Sequence, residues 1–244
     1  VGLTGCTAPW SSSCPRPADA DPAVTDLITV DGSVDGQPEI SLYTPFHTDQ
    51  TVVEDLVVGE GNAITTDAQL VVVDLTIVDG NTGETLVATE YDGDLSAPFQ
   101  LSGLVQNVPA FSDALHCATE GTRTVVALAP GDISAEIAAS MKLGEDDSAV
   151  AVLDLRKVYL AAANGSLVFN SGFGLPSVVR APDGQPGVVV PDGAAPTELV
   201  IQTLLRGAGE PVTGDVPVRV NISAVSWNEK TVTNSTWGGE PTSI

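Results

Sequence analysis

Basic residues and aromatic side chains are scarce in this sequence. Lysine and arginine number 9 against 32 aspartates and glutamates, and aromatics make up 5 % of the 244 residues. Because phosphate neutralisation requires clustered Lys and Arg, the net charge of −23 excludes a nucleic-acid-binding surface. It also argues against docking on anionic lipid through protein charge. No apolar run approaches the roughly 20 residues that a membrane-spanning helix requires.

Valine, threonine, glycine and aspartate dominate the composition instead, which favours strands and turns over long helices. The acidic excess is typical of a soluble protein that repels like-charged surfaces. Divalent-cation binding and a high-salt habitat are the alternatives, and charge alone does not choose between them. No cofactor and no metal site is predicted from any motif.

The N-terminus has the pattern of a bacterial lipoprotein processing box. Leu3–Cys6 consists of an aliphatic residue, two small residues and the cysteine that is acylated in such proteins. A stretch rich in Ser, Pro, Ala and Asp follows through Pro22 and is typical of a flexible tether. We therefore expect lipidation of Cys6, a signal peptide upstream of it, and a location on the extracytoplasmic face of the bacterial cell membrane. An accidental four-residue match is the alternative.

Two cysteines remain if Cys6 carries lipid, namely Cys14 and Cys117. An even pair in a compartment that permits disulfides predicts a bridge between them, which would pin the tether to the folded body. The alternative is that Cys117 is a small buried hydrophobe and Cys14 a free thiol in the tether.

One sequence unit occurs twice, at an offset of 148 residues. Gly36–Pro38 recurs as Gly184–Pro186, and matches continue in one register through Asp67. The register then slips by about one residue, and a valine-rich strand follows in both copies, at 70–77 and 218–225. The chain is therefore predicted to be an internal tandem repeat.

Hydrophobic alternation predicts the elements of the two copies. The predicted strands are 52–58, 70–77, 123–128 and 150–158 in the first copy and 200–205 and 218–225 in the second. A short core helix begins at Pro109 and carries Phe111 on its apolar face, and a second possible helix covers 133–141. Asp79–Gly83 has calcium-loop-like oxygen spacing but lacks the bidentate Glu, so a hairpin turn is favoured there. The predicted fold class is α+β, an antiparallel sheet wrapped around a short core helix.

Several motifs resemble the FKBP-type peptidyl-prolyl isomerases. The motifs are Leu204–Gly209, Val218–Ala224, Val232–Trp237 and Gly239–Pro241 in the second copy, and Asn107–Phe111 and Gly121–Arg123 in the first. They are similar to the family's Leu-x-x-Gly-x-Gly, Val-x-Val-x-Tyr-x-Gly, Val-Phe-Asp-Ser-Ser-Tyr, Gly-x-Pro, Val-Ile-Pro-Gly-Trp and Gly-x-Arg. The resemblance covers residues 36–158 and 184–244.

This resemblance implies a bacterial lipoprotein with two tandem FKBP-like domains. The implied segments are the lipoprotein box and tether (1–23), the first FKBP-like domain (24–160), a linker with the first strand of the next unit (161–196), and the N-terminal part of a second FKBP-like domain (197–244). The second copy lacks counterparts of the core helix and the last two strands. We expect either that the native chain continues or that these strands pack on the first copy or on a partner chain.

The resemblance also implies a function, which is prolyl isomerisation and assistance to the folding of exported proteins. Such enzymes hold a prolyl segment in an apolar, aromatic-lined pocket and lower a barrier of about 18–20 kcal/mol with a few oriented polar groups. The positions of the family's Tyr, Phe-Asp pair and Trp fall on substituted residues, so no catalytic residue is assigned. The pocket candidates are Leu75, Leu86, Val87, Val108, Phe111, Ile222, Thr233 and Asn234. The alternative is a catalytically degenerate peptide-binding or structural surface module.

Overall fold

The computed structural model describes residues 14–16, 20–170, 172–215 and 217–244 of the chain. Its helices are α1 (Pro22–Thr25), α2 (Leu101–Asn107), α3 (Ala110–Leu115) and α4 (Ala135–Met141). The strands up to Val158 are β1 (Ile28–Asp31), β2 (Glu39–Leu42), β3 (Val52–Val57), β4 (Leu70–Asp79), β5 (Thr85–Ala88), β6 (Phe99–Gln100), β7 (Arg123–Leu128) and β8 (Ala149–Val158). The later strands are β9 (Ser166–Leu167), β10 (Ser177–Arg180), β11 (Pro186–Val189), β12 (Leu205–Arg206), β13 (Arg219–Val220), β14 (Ser223–Val225), β15 (Val232–Ser235) and β16 (Thr242–Ser243). None of the described helices is long and apolar enough to cross a bilayer.

The largest element is an antiparallel sheet with the order β3-β7-β8-β4-β5, in which β6 also pairs with β4. Strands β7 and β8 are buried on both faces and lie inside the sheet, as continuous runs of Val, Ala and Leu favour. The strands predicted from residues 52–58, 70–77, 123–128 and 150–158 are all present. They are brought together from distant parts of the sequence.

Helices α2 and α3 pack on one face of this sheet. Helix α3 starts directly after Pro109, and Phe111 and Leu115 are inaccessible to solvent there. Residues of β4 and β8, such as Leu75 and Leu153, complete the same apolar core. The predicted α+β fold, an antiparallel sheet wrapped around a short core helix, is confirmed.

The other face of the sheet is covered by the hairpin of β1 and β2. Its side chains pack on a second apolar cluster that includes Phe46 and Val152. Next to this cluster, Arg123 donates from Nε and Nη2 to the two carboxylate oxygens of Asp154, at 2.6 and 2.8 Å. The guanidinium also donates to the carbonyls of Gly32 and Gly36, which holds the hairpin loop on the sheet.

The segment 14–16 is attached to the C-terminal end of α3. Cys14 and Cys117 form a disulfide with a Cα–Cα distance of 5.3 Å, as predicted. Arg16 donates to the carbonyls of Ala114 and His116, which are two of the carbonyls that a helix C-terminus leaves unpaired. Cys6, the predicted lipidation site, lies outside the described residues.

The internal repeat is visible in the strand pairing. In the hairpin of β1 and β2, Thr29 pairs with Ser41. At an offset of 148 residues, Thr29 and Ser41 correspond to Ser177 and Val189. These two residues pair in the hairpin of β10 and β11. The two hairpins therefore have the same register.

A second hairpin is repeated at an offset of 147 residues. Thr76 pairs with Ala88 between β4 and β5, and the corresponding pair, Ser223 with Ser235, joins β14 and β15. The bulge recurs as well, after Ile77 in the first hairpin and after the corresponding Ala224 in the second. The one-residue change in offset is the slip that the sequence predicts after Asp67.

Hydrogen bonds at the ends of these hairpins match in detail. Thr89 donates its N–H to the carbonyl of Leu75, and its Oγ1 accepts from the N–H of Leu75. Thr236 makes the same two bonds with Ile222. The two copies therefore share a local structure as well as a sequence pattern.

The predicted strand at 200–205 is wrong, because only β12 forms there and it pairs with β9. In the first copy the corresponding strand, β3, pairs with β7. The described residues contain no counterpart of β7 in the second copy, so an alternating sequence has no partner to pair with. Beyond Val158 the described residues form four two-stranded sheets and no helix.

Candidate functional site

The pocket candidates of the first copy belong to the apolar core. Phe111 is 0 % exposed, Val108 2 % and Leu75 9 %, and all three are in one buried cluster. Leu86 packs against this cluster from β5. Val87, the next residue, is 36 % exposed and does not pack against it. The position of the family's aromatic pocket floor is therefore inside the protein rather than at the base of an open pocket.

Two further helices pack against the same buried cluster. Ile137 and Met141 of α4 pack against the cluster, and so do Leu104 and Val105 of α2. Helix α2 lies between β6 and α3 and was not predicted from the sequence. Among the candidates, Leu75, Val87 and Phe111 have no side-chain group able to donate or accept a hydrogen bond.

The candidates of the second copy occupy equivalent positions. Thr233 and Asn234 lie on β15, and Ile222 precedes β14, at an offset of 147 from Leu86, Val87 and Leu75. Ile222 is 40 % exposed, whereas its counterpart Leu75 is buried. The Thr233 hydroxyl donates to the carbonyl of Ala224 within the hairpin. The structure does not bring the two sets of candidates together into one site.

Asp55 is joined to the C-terminal end of α3 through Arg16, and its carboxylate is fully engaged. Asp55 accepts from Arg16 through both oxygens, at 2.6 and 2.7 Å, and from the hydroxyl of Thr124 at 2.7 Å. Burial raises the pKa of Asp55, but the hydrogen bonds from Arg16 and Thr124 and the Arg16 charge outweigh it, so the net pKa is lowered. This carboxylate is therefore a structural group that the hydrogen bonds of Arg16 and Thr124 hold in its ionised form near neutral pH.

Tyr91 lies beside the large sheet, but on the wrong face to replace the family's pocket phenol. The hydroxyl of Tyr91 is 2.8 Å from the hydroxyl of Thr76, on the face that carries Asp154 and Arg123. Burial is the main cause that raises the pKa of Tyr91 to about 12. Phe111 belongs to α3, which packs on the opposite face of the sheet.

Three potential metal ligands meet near the N-terminus. The ligand atoms of Cys14, His116 and Cys117 lie within 4.8 Å of one another. Both sulfurs are bonded in the disulfide, so neither is available as a thiolate. The cluster is a disulfide with a neighbouring histidine rather than a metal centre.

A large cleft lies between the first copy and the C-terminal strands. It has a volume of about 1210 Å³, and its lining includes Leu70, Leu95 and Tyr159 on one side and Pro217, Arg219 and Trp237 on the other. None of these residues was predicted as a site residue. No sequence signal identifies the cleft, because it arises from the contact of segments far apart in the chain.

The first copy thus contains a six-stranded antiparallel sheet wrapped on a short helix that begins after a proline. The second copy repeats the hairpins of that arrangement. This arrangement is the α+β fold that the sequence predicts, an antiparallel sheet wrapped around a short core helix. No protein-family model and no curated protein matches the chain.

Solved structures of FKBP-type proteins are similar to it. A peptidyl-prolyl cis-trans isomerase from Pseudomonas syringae pv. tomato has 16 % identity and a TM-score of 0.36, over 45 % of this chain and 76 % of that one. FkpA from Escherichia coli has 17 % identity and a TM-score of 0.34, over 44 % of this chain and 47 % of FkpA. The structure of the three FKBP domains of wheat FKBP73 has 16 % identity and a TM-score of 0.39, over 80 % of this chain and 69 % of that one.

Proposed function

We propose that this protein is an FKBP-like peptide-binding helper for exported proteins, anchored through lipid on Cys6, with little or no prolyl isomerase turnover. The observation that carries the proposal is the environment of Phe111, which is 0 % exposed and belongs to a buried cluster that residues of α2 and α4 pack against. A prolyl ring therefore has no space to pack on the side chain of Phe111. Binding of prolyl segments elsewhere on the molecule stays compatible with the FKBP-like fold.

The chemistry of isomerisation supports this proposal. The amide loses resonance as it twists, so an isomerase must stabilise the twisted amide with positioned polar groups in a site that excludes water. The Tyr and Asp positions of the family are Leu75 and Val87 here, and neither side chain offers a donor or an acceptor. Only desolvation of the substrate by an apolar surface remains, and the substrate cannot reach the apolar surface of the closed core.

A coupled isomerisation assay on a short prolyl peptide tests the lack of turnover. We expect the full chain to leave the rate at the uncatalysed value, while a catalytically active FKBP-type isomerase serves as the positive control. Turnover comparable to that control would contradict the proposal. A Phe111→Ala variant then locates any activity, because loss of turnover would place it at α3 and unchanged turnover would place it elsewhere.

Two further measurements test binding and location. Titration of a panel of prolyl peptides from exported proteins, followed by tryptophan fluorescence, is expected to show saturable binding without turnover. Intact-mass analysis of the protein extracted from membranes of its native host is expected to show a diacylglyceryl group on Cys6. An unmodified Cys6 would remove the anchoring part of the proposal and leave the binding part to be judged by the titration.

A further inference from the structure

Cys14, His116 and Cys117 lie together at the C-terminal end of α3. The sulfur of Cys14 is 3.8 Å from Nε2 of His116, and the ligand atoms of all three residues lie within 4.8 Å of one another. In the oxidised chain the disulfide takes up both sulfurs, so the cluster offers no thiolate. A chain with the bridge reduced has two thiol groups and one imidazole in the same small volume.

Two of these residues are held by backbone bonds that do not depend on the disulfide. The N–H of Cys117 donates to the carbonyl of Ile64 at 2.8 Å. The N–H of His116 donates to the carbonyl of Ser112 in α3 at 3.0 Å. These bonds fix the two neighbouring residues at the end of the helix, so reduction of the bridge leaves both in place.

Arg16 holds the third residue, Cys14, which lies two positions before it in the chain. The guanidinium donates to the carbonyl of His116 at 2.7 Å and to the two carboxylate oxygens of Asp55 at 2.6 and 2.7 Å. These bonds attach the segment of Cys14 to the body without any contribution from the sulfurs. All three side chains of the cluster therefore stay close to one another when the bridge opens.

The spacing suits a tetrahedral zinc ion. Zinc binds thiolate sulfur at about 2.3 Å and imidazole nitrogen at about 2.0–2.1 Å, which places a sulfur and a nitrogen ligand about 3.6 Å apart and two sulfurs about 3.8 Å apart. The distance between Sγ of Cys14 and Nε2 of His116 is already 3.8 Å. The two sulfurs have to separate after reduction. The Cα–Cα distance of 5.3 Å leaves room for this by rotation of the Cys14 side chain, which is partly exposed.

We propose that reduction of the disulfide between Cys14 and Cys117 creates a site for one zinc ion, with the two thiolates and Nε2 of His116 as ligands. The reductant is a dithiol, which gives two electrons and two protons to the bridge and itself becomes a disulfide. The S–S bond breaks, and each sulfur becomes a thiol. Zinc then displaces the two thiol protons to the solvent, and its charge balances that of the two thiolates. A set of three protein ligands leaves the fourth position open to water.

The bridge and the metal exclude each other, because the same two sulfurs form both. Thiolate and imidazole ligands select zinc over the hard cations Mg²⁺ and Ca²⁺, which prefer the carboxylates that the rest of the chain offers in excess. His116 is exposed and Cys14 is partly exposed, so a zinc ion reaches the site from solvent. In both redox states the segment 14–16 is cross-linked to the end of α3.

Zinc titration of the two redox states tests the proposal. The full chain carries Cys6→Ser, which removes the one other cysteine, and is reduced with a phosphine that is then removed without oxygen. Zn²⁺ is added in competition with a chromophoric chelator, and excess Mg²⁺ occupies the surface carboxylates. We expect the reduced chain to bind one zinc ion more than the oxidised chain, and zinc to slow the alkylation of Cys14 and Cys117. Equal zinc uptake in the two redox states would overturn the proposal.

Cobalt in place of zinc identifies the ligands by absorption. Co²⁺ bound by thiolates gives a charge-transfer band that Co²⁺ bound by carboxylates lacks. We expect this band in the reduced chain and none in the oxidised chain. Cobalt or zinc binding without the band would place the metal on surface carboxylates and overturn the proposal.

His116→Ala and His47→Ala form a matched pair of variants. The chain has only these two histidines, and both are exposed. We expect His116→Ala to weaken zinc binding by the reduced chain at least about tenfold, a loss that even outer-shell partners of a metal cause, and His47→Ala to leave it unchanged. Cys14→Ser should abolish the stoichiometric uptake. An affinity of His116→Ala equal to that of the parent would overturn the assignment of the imidazole as a ligand.

Hydrogen exchange at the amide of Cys117 shows whether the reduced chain keeps the site assembled, because this amide donates to the carbonyl of Ile64. Zinc uptake with protection retained after reduction supports a site that is already formed. Protection that is lost on reduction and restored by zinc supports a site that the metal assembles. Absence of zinc uptake overturns the proposal in either case, whether the ligands are assembled or zinc fails to assemble them.

Discussion

Lys230 holds in the second copy the position that Gly83 holds in the first. Both residues have a left-handed backbone, with φ of +55° and +75°. Each donates its N–H to the first residue of the turn, Lys230 to the carbonyl of Ser226 and Gly83 to that of Asp79. The turn is thus retained in both copies, while glycine, which adopts this conformation without steric cost, occurs in only one of them.

Replacing Lys230 with glycine is therefore expected to stabilise the hairpin of β14 and β15. A non-glycine residue in this region costs about 1–2 kcal/mol, and the exposed ion pair of Lys230 with Asp192 adds little stability. Amide exchange of Val225 and Val232, measured by NMR, should slow in Lys230→Gly. The reverse change, Gly83→Lys, should speed exchange at Val78 and Thr85. Equal exchange rates in Lys230→Gly and the parent chain would contradict this expectation.

The disulfide is expected to contribute a large part of the stability of the first copy. Cys14 and Cys117 are separated by 103 residues, and closing a loop of about that length is worth about 4–5 kcal/mol in the chain-entropy account. The free energy of unfolding of a Cys14→Ser/Cys117→Ser double variant should fall by that order, measured by urea denaturation of a Cys6→Ser background. A loss below about 1 kcal/mol would show that the oxidised and reduced unfolded chains are similarly restricted.

Acid is expected to weaken the attachment of segment 14–16. The pKa of Asp55 lies below its ordinary value of 3.8, because Arg16 and Thr124 stabilise the ionised form. A lowered pKa contributes stability that is complete above the ordinary value and is lost as pH falls through the lowered one. The melting temperature of Asp55→Asn should therefore lie below that of the parent at about pH 6, and the difference should shrink toward about pH 2. A constant difference would contradict the assignment.

The buried pair of Arg123 and Asp154 is expected to be sensitive to the loss of one partner. The side chains are 2 % and 0 % exposed, and burial raises the pKa of Asp154 even though the hydrogen bonds and charge of Arg123 lower it. Asp154→Asn leaves a buried guanidinium without its counter-charge, which costs about 3–5 kcal/mol. The double change Arg123→Met/Asp154→Leu removes both charges and should cost less, as measured by urea denaturation. A double variant less stable than Asp154→Asn would show that the bonds of Arg123 to the loop at Gly32 and Gly36 dominate.

Much of the first copy follows from its sequence because its periodicity is strong. Alternating Val and Leu residues predict β4 and β8, and Pro109 predicts the start of α3. Cysteine counting predicts the disulfide. These features depend on local pattern or on the two cysteines that remain once Cys6 is set aside, and both can be recognised without knowledge of tertiary contacts.

Other features depend on which segments meet in space. Helix α2 begins in an apolar stretch without a side-chain cap, so its sequence carries no start signal. The strand predicted at 200–205 has the right alternation but no pairing partner. The closure of the Phe111 position and the cleft beside Arg219 arise from packing between segments separated by many residues, and neither leaves a periodic signal.

The disulfide also determines how the protein would carry mechanical load. A pull between the N-terminus and the C-terminus passes from Cys14 directly to Cys117, so the residues between them bear no tension. At about 3.4 Å per extended residue, the chain between the two cysteines would be roughly 350 Å long when extended, and the bridge prevents this extension. The force enters the body next to β7 and α3 and bypasses β3 and β4. A protein tethered at its N-terminus would in this way transmit the pull of a bound partner through β7, β8 and the C-terminal strands, while α3 and the hairpin of β1 and β2 remain folded.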